Sequence, residues 1–152
     1  SWSQLLPAEQ GVLMRLSVFR GGFDLKASEA VAGASLVLLA GLVDKSLIRL
    51  NADGRYDLHE LLRQHAAVKL LDAGAAYTTA QCHADYFLGL AEKAEAHSFG
   101  REQIDWFDRL EIEFDNLRAA LIWSLQDGDA DEREYRDEQW QEQRGHSPRC
   151  VV

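Results

Sequence analysis

The chain is poor in cysteine and in long apolar runs. Its 152 residues include two cysteines, Cys82 and Cys150. They lie far apart and neither has a CxxC partner. His83 beside Cys82 is not at the three- or four-residue spacing that puts two ligands on one helix face. Two reduced thiols and no metal site are therefore expected. No apolar run approaches the roughly 18 residues of a membrane span. The opening Ser1-Trp2-Ser3-Gln4 has neither an initiator methionine nor a signal-peptide pattern. The chain reads as a piece of a longer, cytoplasmic protein.

Positive charge is also scarce. The net charge is −9, unevenly placed. Residues 1–71 carry eight Lys/Arg against seven Asp/Glu, residues 72–124 four against ten, and residues 125–152 four against eight. A surface that holds nucleic-acid phosphates needs clustered cations, and no such cluster stands out. The apolar content of 47% is that of a globular protein with a real core, and the length suits one ordinary domain or two small ones.

The pattern along the chain is mainly helical. Pro7 suits the first turn of a helix and Glu9 adds a favourable charge there. Val12, Leu13, Leu16 and Phe19 recur at helical spacing up to a stop at Gly21-Gly22. Asp24 is placed to cap a second helix that ends at Gly33. Ser35 caps a third, from Leu36 to Val43, apolar on nearly every side and so expected to be buried. Leu47–Leu50 and Arg55–Leu58 are short alternating segments around Asp53-Gly54, which predicts a β-hairpin. A fourth helix, from His59 to about Leu71, has an expected inward stripe of Leu58, Leu61, Leu62, Ala66 and Leu70. Three helices, a hairpin and a helix make a winged-helix arrangement over residues 1–73.

Residues 74–126 predict an antiparallel pair of longer helices. One runs from about Ala76 to Ala96, with Tyr86, Phe87, Leu90 and Ala94 on one face. The other runs from about Glu102 to Leu125, with Trp106, Phe107, Leu110, Phe114, Leu117, Leu121 and Ile122 expected in a core. Such a pair is the unit of helical-repeat arrays and would stack on further repeats. Residues 127–152 are charged and aperiodic, which predicts a disordered tail.

The blocks Ser1-Trp2-Ser3, Leu5–Gln10, Leu16–Phe23 and Leu42–Leu47 resemble the winged-helix domain of bacterial STAND-class ATPases, the large regulators of LuxR or antibiotic-regulator type. Arg109–Glu111 and Phe114–Leu121 resemble the start of their tetratricopeptide-like region. The likeness covers about residues 1–128. It implies an NB-ARC-like nucleotide-binding core upstream and helical repeats downstream. It also implies an inducer, protein or small molecule, and DNA contact only through another domain. The phosphate-binding motif GxxxxGK[ST] is absent from this chain. The chain is therefore expected to hold no cofactor and perform no catalysis, ADP or ATP belonging to the longer protein. The charged tail departs from the resemblance, which implies further amphipathic helices after Gly128-Asp129.

Leu58-His59-Glu60 resembles the Met-His-Asp motif of NB-ARC proteins, with Leu and Glu replacing Met and Asp. The resemblance gives His59 the role of reaching a phosphate of bound ADP. The residues themselves allow this, because a helix start offers free N–H groups to an anion and an imidazole can donate one more hydrogen bond. They equally allow His59 merely to cap the helix. His65, His83 and His97 read as surface or edge residues, and His146 lies in the tail. Glu111, Glu113 and Asp115 read as a solvated face, since 113 points away from the side shared by 111 and 115. The alternative function is direct DNA binding by the third helix, with Lys45, Arg49 and Arg55 as the nearby contacts. That helix carries no Arg, Lys, Asn or Gln to read bases. A protein-interaction scaffold without a nucleotide role is the remaining alternative.

Overall fold

Pro7 opens helix α1, Pro7–Leu16, in a computed structural model that describes residues 2–127. The Glu9 carboxylate turns back to accept the Leu6 N–H at 3.0 Å. The helix ends at Leu16, short of the expected stop at Gly21-Gly22. Ser17, Val18 and Phe19 each donate their N–H to the residue three back, so the winding tightens before the glycines are reached. Helix α2, Leu25–Ala32, begins where Asp24 accepts the Ala27 N–H at 2.7 Å, and closes at Gly33 in the left-handed region with φ 65°. Helix α3, Leu36–Asp44, begins where Ser35 accepts the Leu38 N–H at 3.2 Å.

Strands β1, Ile48–Leu50, and β2, Tyr56–Leu58, form an antiparallel hairpin with Arg49 opposite Asp57. Gly54 donates to Asn51 O across the turn and holds φ 81°. Helix α4, Glu60–Asp72, follows at once. The remaining helices are α5, Ala76–Ala96, α6, Gln103–Ile112, and α7, Phe114–Gln126. Among the described residues there are thus seven α-helices and one two-stranded sheet, an order compatible with a winged helix over the first part. No single helix there is long and apolar enough to cross a membrane. The expected tail lies outside the described residues, apart from Asp127.

The described chain divides into two compact units, the first ending at Cys82 and the second beginning at His83. In the first, α1 packs against α2, α3 and α4. Leu13, Leu16, Phe23, Leu39 and Leu42 are sealed in its centre. Phe23 exchanges both backbone hydrogen bonds with Tyr56, at 2.9 and 2.8 Å, so the segment before α2 acts as a third edge on the hairpin. Gly22 is required for this approach. Its φ is 90°, and a Cβ there would lie 2.9 Å from Tyr56 O. Lys45 at the end of α3 grips the buried Glu9 carboxylate of α1, at 2.7 and 2.6 Å from its two oxygens.

Two expectations fail in this unit. Helix α3 is not buried all round: Leu39 and Leu42 face the core, while Leu36 and Val37 are 57% and 80% exposed. An all-apolar helix carries no periodicity, so its sequence could not show which side would be covered. In α4, Ala66 and Leu70 point inward as expected, but Leu61 points outward. At 100° per residue Leu61 lies about 140° from Ala66 and about 180° from Leu70, so it cannot share their face.

The second unit departs further. Phe87, Leu90 and Ala94 of α5 are buried, as their spacing predicts. The single helix expected over 102–125 is instead two, broken at Glu113. Glu113 is buried and accepts from Asn116 Nδ2 at 3.0 Å. Asn116 Oδ1 in turn faces His83 Nε2 at 3.2 Å. His83 is therefore an interior residue, not a surface one, and Glu113 is not part of a solvated face. Phe107 and Phe114, expected in a core, are more than half exposed. Cys82 is buried. Cys150 lies outside the described residues.

Candidate functional site

The hairpin running straight into α4 leaves a cleft of about 550 Å³ between the wing, the turn after α1 and the start of α4. His59 stands at its edge, exposed, with extended backbone at φ −57° and ψ 136°. Its Nδ1 accepts the Leu61 N–H at 3.3 Å, so the neutral ring carries its proton on Nε2. One nitrogen caps the helix, and the other is left as a donor to whatever enters. Capping and anion contact, which the sequence set against each other, are thus compatible on one ring.

The cleft is richer in guanidinium groups than the sequence suggested, yet most of them already have partners. Arg20 donates to the carbonyls of Ser17 and Phe19, at 2.9 and 3.1 Å. Burial lowers its pKa, and the nearby Arg63 charge adds to the effect. Arg63 forms a two-pronged contact with Glu60, at 2.8 and 2.6 Å, and also reaches Ser17 O at 3.3 Å. That contact holds the Glu60 carboxyl down to about 2 from an ordinary 4.5. Arg20, Arg63 and Glu60 thereby tie the end of α1 to the start of α4. Spacing could not reveal this, because the partners are separated by some forty residues of chain.

Of the proposed nucleic-acid contacts, Arg49 and Arg55 line the same cleft as His59, and Lys45 does not. Lys45 is committed to Glu9. Arg49 pairs with Asp57 across the hairpin at 3.0 Å, its side chain 75% exposed. Arg55 lines the cleft beside His59. The outer face of α3 presents Ser35, Leu36, Val37 and Ala40, none of them a strong base-reading side chain. Among the described residues, no group of His, Cys, Asp and Glu is arranged to hold a metal.

No family model and no solved structure matches the chain. Three curated relatives do. "Putative HTH-type transcriptional regulator Rv0890c" and "Putative HTH-type transcriptional regulator MT0914", from two strains of Mycobacterium tuberculosis, are each 40% identical to it over 139 residues. "Putative HTH-type transcriptional regulator Mb0914c" of Mycobacterium bovis matches equally. In each case the match covers 84% of this chain and 16% of the relative. The chain therefore corresponds to about one-sixth of proteins named as transcriptional regulators.

Proposed function

We propose that this chain is a regulatory segment of an HTH-type transcriptional regulator, and not the part that reads DNA. On this reading the first unit is a winged helix that packs on an upstream nucleotide-binding core in the cytoplasm. His59 senses whether ADP or ATP is bound there, and the second unit begins a sensor array for an inducer. The segment binds and couples but performs no catalysis. The observation that carries the proposal is the exposed face of α3, where Leu36 and Val37 occupy the position a DNA-reading helix fills with polar side chains. Fluorescence anisotropy with random duplex DNA tests it. The expected result is no salt-sensitive binding below about micromolar concentration, and sub-micromolar, salt-sensitive binding would reject it.

The nucleotide role is supported by the place of exposed His59 at the edge of the cleft, with Nδ1 engaged by the Leu61 N–H and Nε2 left as the ring's donor. A charge-assisted hydrogen bond to phosphate contributes about 1.5–3 kcal/mol, which is the scale of typical allosteric coupling. In the longer protein, His59→Ala is expected to speed ADP release about 10- to 100-fold and to raise basal activity. Unchanged ADP retention would remove His59 from the mechanism and leave the scaffold role.

Direct DNA contact is the second reading. It is favoured by the names of the relatives and by the exposure of Arg49. Under this reading Arg49→Ala and Arg55→Ala would each weaken binding and reduce its salt dependence by about one phosphate contact.

A further inference from the structure

The turn after α1 draws two positive charges onto one atom. Arg20 and Arg63 both donate to the Ser17 carbonyl, at 2.9 and 3.3 Å. That carbonyl lies at the end of α1, where a helix leaves carbonyls without partners and its dipole favours cations. The packing of α1 on α4 thus forces together two guanidinium groups that repel one another. Glu60 offsets this. It grips Arg63 through both carboxylate oxygens, and its charge also acts on Arg20. A glutamate three residues before an arginine is ordinary on a helix. Here, however, the arginine is also bonded across to α1 and faces a second guanidinium inside a cleft.

The two sides of this ion pair are not equally fixed. The Arg63 side chain is 16% exposed and that of Glu60 is 61% exposed. Arg63 is held by the fold, whereas Glu60 reaches it from the solvent side and can rotate back into water. The pair lies in the wall of the cleft, where four arginines stand against three carboxylates. A carboxylate that meets a guanidinium fork with two oxygens presents the same paired acceptors as a phosphate. We propose that Glu60 is a built-in stand-in for an oxyanion: its carboxylate fills the Arg63 fork, and a diphosphate group entering the cleft displaces it and takes up Arg63 and Arg20 in its place. This deepens the phosphate-facing reading of the cleft. The site needs neither His59 nor an upstream domain, so either idea can fail alone.

Calorimetric titration of the 152-residue chain with inorganic pyrophosphate tests it. Wild type should bind weakly. Glu60→Gln keeps the shape and removes the charge, and should bind at least about tenfold tighter, with Glu60→Ala showing the same gain. Combining Glu60→Gln with Arg63→Gln should abolish the gain. Asp53→Asn takes one charge from the same cleft without removing a partner of Arg63, and should change affinity by no more than about twofold. ADP separates two sources of the diphosphate. Affinity of Glu60→Gln for ADP within about threefold of that for pyrophosphate makes the phosphates the whole ligand, and tighter binding of ADP makes it a nucleotide. No gain in Glu60→Gln, an equal gain in Asp53→Asn, or a gain that survives the loss of Arg63 would overturn the proposal. So would salt-sensitive binding of duplex DNA tighter than that of pyrophosphate, which would give the cleft to a nucleic-acid backbone.

Discussion

The two units solve the burial problem differently. In the first, helix ends are capped by Asp24, Ser35 and His59, and Gly33 closes α2. Its large side chains converge on one sealed centre, and its buried carboxylate, Glu9, has a lysine partner. In the second, neither α6 nor α7 has a side-chain cap at its start, and α6 has no buried residue at all. What α7 buries is Asn116 and Ala120, while its large apolar side chains face out. The first unit has the means to fold unaided; the second reserves much of its apolar surface for something else.

The largest test of this contrast is Phe23→Ala. Phe23 is 1% exposed and stacks between Phe19 and Tyr56. Its truncation should cost about 3–5 kcal/mol in denaturant unfolding followed through Trp2. A loss below about 1 kcal/mol would mean that the first unit is not the stable one.

Acid should act next, again mainly on the first unit. Lys45 lowers the pKa of Glu9 and Arg63 lowers that of Glu60, the latter to about 2. A carboxylate with a depressed native pKa contributes its full stability above its ordinary value and loses it as pH falls toward the native one. Stability measured through Trp2 should therefore decline between about pH 4.5 and pH 2, and more steeply at low salt than at high salt. Lys45→Met should remove part of that decline, and an identical pH profile would show that the ion pair does not act.

A smaller effect separates the helix ends. Asp24→Ala deletes a 2.7 Å cap and should cost about 1 kcal/mol. Glu102→Ala, before α6, deletes no cap and should cost less than about half of that. The smallest expected effect is at Phe114. Its replacement by serine should change stability by no more than about 0.5 kcal/mol, since the side chain is already in water. Amide exchange gives the same ranking without mutation, with α1 to α4 protected longer than α6 and α7.

What the sequence made legible was local. Asp24, Ser35 and Gly33 marked helix ends because a cap acts within three or four residues, and Asp53-Gly54 marked the hairpin for the same reason. Helix α5 was read correctly from its apolar spacing. What escaped was set by partners far along the chain. Glu9 meets Lys45 across 36 residues, Phe23 meets Tyr56, and His83 meets Asn116. The break at Glu113 was hidden because its cause, an inward carboxylate held by Asn116, runs against the usual solvation of glutamate. At the candidate site, His59 and its place at the wing–helix junction were visible. Glu60 and Arg63 meet three residues apart on α4, but their approach to Arg20 and Ser17 was not visible, because only the packing of α1 on α4 brings those residues near.

The Phe23–Tyr56 bridge has a mechanical consequence. A hairpin held only at its own turn can be peeled open one rung at a time. This one is riveted at Tyr56, the end of the strand nearest the turn, to the segment leading into α2, and the rivet shares an aromatic stack with the interior. A pull on the wing tip is therefore carried into the sealed centre and α2 instead of being spent on fraying the ribbon, so the wing and the first three helices should yield together under load.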